Sequence, residues 1–401
     1  MGVLGFDRRI GVVIAANFIA VAARMSLVTF IGIYFVRHAG IDLRVVGLAF
    51  LLENLSRGVL APFFGALSDR VGRRPLLLIS ALGTAVILPC FLLVDGAASL
   101  FAWSLALGAT GAINMPVAGA LILDLAPPER RQAALAANYT GMSVAYTLGV
   151  TPAGYVAEQG YAFLAAVASA GYVCVALLYF IALRAALPLE RSREETVFRS
   201  SVAVYGDRAF LAFASLAFVF PLSMGLVVSV LPLYGIELGL REGYIGLVLG
   251  GNSLIVAALA VPVAARMERA GPFRQLGLAA LLVGFSLLIF SFGSFPASAL
   301  MLGTVIFSFG EIIFSSAVPA AVARLAPAGM RGAYQGGWTL VASLAMGSAL
   351  FLSGVLRDGA GWQAAWWIYA GLLAAAAWAW FYFRKAFLDI SERRQSAIPG
   401  N

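Results

Sequence analysis

Charged side chains are scarce in this sequence. Only 11% of its 401 residues are Asp, Glu, Lys or Arg, whereas soluble globular proteins carry about 25%. A surface that met water on every side would need more charge than this. The composition therefore excludes an ordinary soluble domain.

Cysteine and histidine are also rare. Both cysteines, Cys90 and Cys174, lie in apolar runs, and His38 is the single histidine. Disulfide frameworks and metal sites need several such residues at defined spacings, so we expect neither a metal nor any other cofactor. The phosphate-binding pattern G-x-x-x-x-G-K-[ST] is missing, which argues against an ATP-driven pump. No Ser/His/Asp set supports an enzyme.

Apolar residues dominate instead, at 62% of the chain, and the mean hydropathy is +0.93. A helix of about 20 apolar residues crosses a bilayer. The sequence therefore predicts an all-α membrane protein, because its apolar runs define twelve transmembrane helices at 10–36, 43–67, 75–95, 98–125, 132–157, 162–187, 208–236, 243–267, 275–293, 297–325, 332–356 and 362–384. The first run lacks a small-residue cleavage site and is interpreted as a helix rather than a signal peptide.

A hydrophilic stretch near the midpoint divides these helices into two sets. It predicts an N-terminal six-helix bundle, a cytoplasmic linker, a C-terminal six-helix bundle and a cytoplasmic tail, at 1–187, 188–207, 208–384 and 385–401. The two halves also match each other when the sequence is shifted by 200 residues. Three of the matched pairs are Tyr34 and Tyr234, Pro62 and Pro262, and Arg131 and Arg331. Such a repeat predicts two pseudo-symmetric bundles and a substrate site near the bilayer midplane.

Positive charge is distributed unevenly between the two sides. Most of the 27 Lys and Arg residues fall in loops on the side of the termini, and the opposite side carries only Arg37, Arg44, Arg241 and Arg357. The positive-inside rule then predicts cytoplasmic N- and C-termini in the cell (inner) membrane. The net charge of +8 is thus explained by topology. We expect the lipid bilayer, and no nucleic acid, as a partner.

Four ionisable residues, Arg24, Glu53, Arg57 and Glu311, fall deep within predicted spans. Each costs about 2.5–3.5 kcal/mol at a helix centre, and such groups face the protein interior or water. Glu53 and Arg57 share one helix face and could pair, which would serve packing alone or function. Arg24 has no obvious partner nearby. We predict that these four residues bind substrate or couple its transport to protons.

Other polar and aromatic residues of the spans are candidates for a cavity wall. We predict that the cavity is lined by Asn17, Asn54, Asn114, Asn138, Tyr139, Asn252, Phe307, Phe314, Tyr334, Gln335 and Trp338.

The stretch G-A-L-S-D-R-V-G-R-R after the second predicted helix resembles the signature of the major facilitator superfamily. It matches the Gly, Asp, Gly and Arg positions of that signature with Gly65, Asp69, Gly72 and Arg73. With the helix count and the repeat, the resemblance covers essentially the whole chain. It implies transport by alternating access and a central cavity lined in part by the first and tenth helices, which carry Arg24 and Glu311.

The resemblance also implies a gate. Asp69 would latch near 332–334, and Arg73 would bridge Asp69 to Asp124. A functional monomer is expected on the same ground.

Within the superfamily, the sequence looks most like the twelve-helix drug:proton antiporters. L-G-V-T-P-A-G in the fifth predicted helix is similar to their Gly-Pro-rich motif, which implies gating roles for Gly149, Pro152 and Gly154. The antiporter motif of the fourth helix has an Arg four residues before a Gly, and here Ser104 precedes Gly108.

Two functions remain open. The first is proton-coupled efflux of amphipathic or cationic small molecules, since isolated carboxylates in an apolar cavity favour positive charge. The alternative is an organic-anion transporter that holds a carboxylate or phosphate with Arg24 and Arg57, because guanidinium groups suit planar anions.

Overall fold

The computed structural model describes residues 7–127, 130–183, 204–293, 295–327 and 330–396. Within these ranges the chain forms helices and turns, with no β-strand. The helices of the first half are α1 (Arg8–Ile33, extended by a π-helical turn at Tyr34–His38), α2 (Leu43–Val71), α3 (Arg73–Ile87, followed by a 3-10 turn at Leu88–Leu93), α4 (Ala97–Leu125), α5 (Arg131–Gln159) and α6 (Tyr161–Ala182).

The second half repeats this pattern. Its helices are α7 (Arg208–Glu237), α8 (Glu242–Met267), α9 (Pro272–Phe290) and α10 (Pro296–Leu325). A last helical stretch, Arg331–Ser396, has a non-helical Gly361 at φ 80° and ψ 168°. We name the part before this break α11 and the part after it α12.

Ten segments of the described chain are long and apolar enough to cross a membrane, with α11 and α12 counted together. The 29-residue α5 is not among them, because polar residues and glycines recur along its whole length. The predicted all-α membrane fold is confirmed. The last helix continues to Ser396, well past its predicted end at 384, but most other boundaries agree with the apolar runs to within a few residues. This agreement has a physical reason. A backbone that crosses lipid must satisfy its own hydrogen bonds, so an apolar run that spans the bilayer is helical along its whole length.

The internal repeat is visible in the backbone. In the described residues, glycines with positive φ end or break helices at matching places in the two halves: Gly40 and Gly239, Gly72 and Gly271, and Gly160 and Gly361. Residues with a Cβ rarely adopt this conformation. Positive-φ glycines thus recur at three corresponding places in the two halves.

Contacts group the chain into two compact units, residues 1–192 with 231–253 (unit 1) and residues 193–230 with 254–401 (unit 2). The predicted linker lies largely outside the described residues. The second-half segment 231–253 groups with unit 1, and the predicted domain boundaries stay a prediction.

Unit 1 is built on close helix contacts. α1 packs on α5 and α6, and α4 packs on α2 and α3. A Cβ at Gly149 would collide with the backbone of Ala22 in α1, and one at Gly108 would collide with the carbonyl of Glu53 in α2. Small residues of this kind let helix backbones approach inside a bilayer.

Unit 2 has an aromatic core. α9 packs on α10 and α12, and the first part of α7 packs on the Arg331–Ser396 stretch. Phe213 lies with its ring centroid 5.6 Å from those of both Trp338 and Trp380.

Candidate functional site

Three charged residues meet within unit 1. Arg24 of α1 forms an ion pair with Glu53 of α2, and these residues are only 8% and 5% exposed. The Nη1 atom of Arg57 lies 3.9 Å from the same Glu53 oxygen, and the Arg57 side chain is 34% exposed. The predicted Glu53–Arg57 pair is therefore present. Arg24, which has no obvious partner near it in the sequence, pairs with a residue of the neighbouring helix.

Further polar groups surround this cluster, which we call the Arg24–Glu53–Arg57 cluster. Asn54 accepts a 2.6 Å hydrogen bond from Arg57 and donates one of 3.4 Å to Glu53. Tyr172 of α6 is close enough to interact electrostatically with both arginines. Sequence reasoning missed Tyr172, because an aromatic residue in an apolar helix carries no signal for such a contact.

The cluster has more donors than acceptors. Among the described residues, nothing accepts a hydrogen bond from the buried Nε and Nη1 atoms of Arg24. Two guanidinium groups and one carboxylate also leave one positive charge in excess. Gly111 of α4 provides space beside them, since a Cβ there would lie 3.5 Å from Arg24 Nη1 and 3.7 Å from Arg57 Cδ.

A second polar group in unit 1 joins three of the predicted cavity residues. Asn17 donates a 2.8 Å hydrogen bond to Asn138 and accepts one of 3.2 Å from Asn114. The Tyr179 hydroxyl donates to Asn17 at 3.4 Å. Four helices, α1, α4, α5 and α6, thus share one hydrogen-bonded network.

Four of the predicted cavity aromatics are buried in unit 2. Phe307 is fully buried, and Phe314 stacks on Phe220 with ring centroids 3.6 Å apart. Trp338 belongs to the aromatic core, and the Tyr334 hydroxyl donates to Asp207 at 2.5 Å. Their role in lining a cavity stays a prediction that these contacts do not support.

The other predicted residues are more varied. Glu311 of α10 is half-buried, Asn252 of α8 is buried, and each interacts with the protein around it. Gln335 is half-buried, while Tyr139 is largely exposed. Their roles in binding also stay predictions.

The signature, which spans the end of α2 and the start of α3, forms the predicted charge bridge. Arg73 pairs with Asp69, and its Nε atom lies 3.1 Å from a carboxylate oxygen of Asp124 in α4. Gly72 ends α2 with φ 94°. Gly65 makes an ordinary contact, since a Cβ there would lie 3.8 Å from Pro116 of α4, and close packing there does not require glycine.

The Gly-Pro-rich motif of α5 places its last glycine against α8, within unit 1. A Cβ at Gly154 would collide with the carbonyl of Glu242, and Pro152 lies inside α5. One turn further along, the Glu158 carboxylate accepts from the Arg241 guanidinium at 2.5 Å and from the Gly243 backbone N–H at 2.9 Å. Sequence reasoning missed this contact, although Glu158 stands just before the helix end.

Asp207 forms a cluster at the start of α7, in unit 2. It accepts from the Ala209 N–H, from Tyr334, and from both terminal nitrogens of Arg394 at 2.8 and 3.0 Å. Burial alone would raise the pKa of Asp207, but the hydrogen bonds from Arg394, Tyr334 and Ala209 outweigh it and lower the pKa to about 2. An Asp directly before an apolar run is a helix-capping signal that could have identified it.

Helices of this length and apolarity, with an ion pair buried between two of them, are those of a polytopic membrane protein. Residues 13–244 and 213–398 match the profile of the Major Facilitator Superfamily. The chain belongs to that family and is a transporter rather than an enzyme.

Relatives and solved structures agree with this assignment. Multidrug resistance protein MdtG of Salmonella paratyphi A is 27% identical over 253 residues, which cover 61% of each protein. MdtG of Dickeya zeae is 27% identical over 251 residues, which cover 61% of this chain and 60% of its own. The match thus spans less than two thirds of these curated relatives.

Among solved structures, the nucleoside transporter NupG aligns with a TM-score of 0.79 and 13% identity, covering 94% of this chain and 100% of its own. A POT family transporter in complex with 5-aminolevulinic acid has a TM-score of 0.79 and 16% identity, covering 96% and 98%. At these identities the likeness shows the fold alone.

Proposed function

We propose that the protein exports amphipathic or cationic small molecules in exchange for protons, by alternating access and as a monomer. It would lie in the cell (inner) membrane with both termini in the cytoplasm, as the loop charges predict. The relatives named as multidrug resistance proteins support the substrate class.

The observation that carries proton coupling is the buried ion pair between Arg24 and Glu53. A proton that neutralises Glu53 removes its attraction for both guanidinium groups and leaves them close together in a low-dielectric environment. The cluster then favours another arrangement of α1 and α2, so protonation acts as a switch between two states. Glu311 is the carboxylate proposed for the same task in unit 2.

The test uses purified protein in sealed vesicles. We expect Glu53→Gln and Glu311→Gln to abolish dye transport driven by a pH gradient, while dye exchange without a gradient is retained. Glu392→Gln is the matched control, because it makes the same charge change at an exposed position near the chain end. Gradient-driven transport by Glu53→Gln at the control rate would reject Glu53 as the coupling residue.

An organic-anion transporter is the second candidate. It is favoured by the excess positive charge of the cluster and by the Nε and Nη1 atoms of Arg24, which have no hydrogen-bond partner among the described residues. A bound carboxylate would supply the missing acceptors. In that case Arg24→Gln should abolish binding of an anionic dye such as fluorescein and leave binding of a cationic dye intact. Loss of cationic dye binding alone would count against it.

A further inference from the structure

A cavity of about 580 Å³ lies within unit 1, away from the Arg24–Glu53–Arg57 cluster, where α5 meets α6. Its wall includes three aromatic rings, two carboxylates and one guanidinium, from Tyr34, His38, Tyr161, Glu158, Glu242 and Arg241. Pockets that hold drug-sized ligands measure about 300–1,000 Å³. The cavity is therefore large enough for such a ligand.

The rings form a continuous aromatic surface. Tyr34 and His38 are stacked with centroids 5.8 Å apart. The Tyr161 ring lies 5.3 Å from each of them. The faces of tyrosine rings such as Tyr34 and Tyr161 attract organic cations, and the attraction grows when the cation leaves water.

The polar groups of the wall are incompletely paired. Tyr161 is only 7% exposed, yet its hydroxyl has no hydrogen-bond partner among the described residues. A buried hydroxyl without a partner costs free energy, which a bound ligand or water recovers. The hydroxyl oxygen is itself shielded from solvent, so a ligand in the cavity would reach it only after the wall rearranged.

The charges on the wall favour a cation. Glu158 is engaged by Arg241 and by the Gly243 N–H, so those two side chains offset each other. Glu242 is half-buried on the wall and interacts electrostatically with Tyr161. Arg37 also acts on Tyr161, but more weakly than Glu242, and it is not among the residues that line the cavity. The negative charge of Glu242 is thus left beside the rings.

We propose that this cavity is a second ligand site, which binds lipophilic aromatic cations between the rings of Tyr34, His38 and Tyr161 and the carboxylate of Glu242. The inference goes beyond the proposed function, because it requires neither proton coupling nor the buried cluster. It predicts a site that retains its ligand when Glu53 is replaced.

The test measures protection of a cysteine in the cavity wall. Cys90 and Cys174 are first replaced by Ala, and Ala162→Cys then gives one thiol among the lining residues. Tetraphenylphosphonium should slow maleimide labelling of this thiol several-fold. Ala98→Cys is the matched control, because Ala98 is also exposed near a helix start but does not line the cavity.

Charge is tested in two ways. Tetraphenylborate has the same shape and the opposite charge, so it should give no protection, and this comparison needs no further substitution. Glu242→Gln should raise the half-protecting concentration of tetraphenylphosphonium about tenfold, the size of effect that a close charge pair gives. Glu242→Asp should retain most of the protection.

Equal protection by the two ions would overturn the proposal, as would equal protection at Ala98→Cys or an unchanged half-protecting concentration in Glu242→Gln. Glu53→Gln serves to separate the two sites. If it stops gradient-driven transport and leaves protection intact, both proposals stand. If protection fails while the transport result holds, only the second site is rejected.

Discussion

Replacing Glu53 by Gln should destabilise the protein more than replacing Arg24 by Gln. Glu53 contacts both guanidinium groups, that of Arg24 directly and that of Arg57 at 3.9 Å. Glu53→Gln leaves two cations without a counter-charge, whereas Arg24→Gln leaves Glu53 with Arg57. Breaking a buried pair from one side costs about 3–5 kcal/mol. We therefore expect about 4–5 kcal/mol for Glu53→Gln and about 3 kcal/mol for Arg24→Gln.

The double variant should cost less than the sum of the two, because only the partly exposed Arg57 then remains charged. The assay is equilibrium unfolding in mixed micelles, followed by tryptophan fluorescence. Asp42→Asn is the control, since Asp42 pairs with Arg44 at 3.2 Å with side chains 47% and 51% exposed. Exposed pairs contribute about 0.2–1 kcal/mol. A cost for Glu53→Gln no larger than the control, or smaller than that for Arg24→Gln, would refute the reasoning.

Two further predictions concern packing and pH. Gly154→Ala should destabilise unit 1 by about 1–3 kcal/mol, because the added Cβ would collide with the carbonyl of Glu242. Gly119→Ala is the control, since Gly119 has open space around it and the substitution should be neutral or stabilising. Equal melting temperatures for the two variants would contradict this prediction. The pKa of Asp207 is lowered to about 2, so its stabilising effect is present above the ordinary carboxyl pKa of about 4 and is lost as the pH falls through about 2. The difference in melting temperature between the parent and Asp207→Asn should therefore shrink between those pH values, and a constant difference would contradict the assignment.

The sequence predicted the features that a short stretch of chain determines. Apolar runs located the helices because lipid demands continuous helix, and the spacing of Glu53 and Arg57 on one helix face predicted their contact. The pairing of Arg24 with Glu53 was missed because it joins two helices, 29 residues apart in sequence. No local pattern says which faces of α1 and α2 meet.

The aromatic residues show a second limit. Phe307 and Phe314 are both buried in unit 2, and their predicted place in a cavity wall stays a prediction. In a membrane helix the same side chain suits lipid, core or cavity, so its type carries little information about its surroundings. Asn17, Asn114 and Asn138 are joined by hydrogen bonds, as expected of amides inside a membrane protein, which must find hydrogen-bond partners.

Ser104 stands where the antiporter motif of the fourth helix has an arginine, and the packing of α4 explains how the protein can do without that arginine. The antiporter motif would place an arginine there, and the serine that replaces it is buried with no hydrogen-bond partner among the described residues. Along the same helix, Gly108 admits the backbone of Glu53, and Gly111 gives space to Arg24 and Arg57. Positive charge therefore reaches α4 from α1 and α2 rather than from its own side chains. Under the proposed function, the coupling carboxylate of Glu53 needs a guanidinium partner. An arginine in α4 is not required for this, because α1 supplies Arg24 and α2 supplies Arg57.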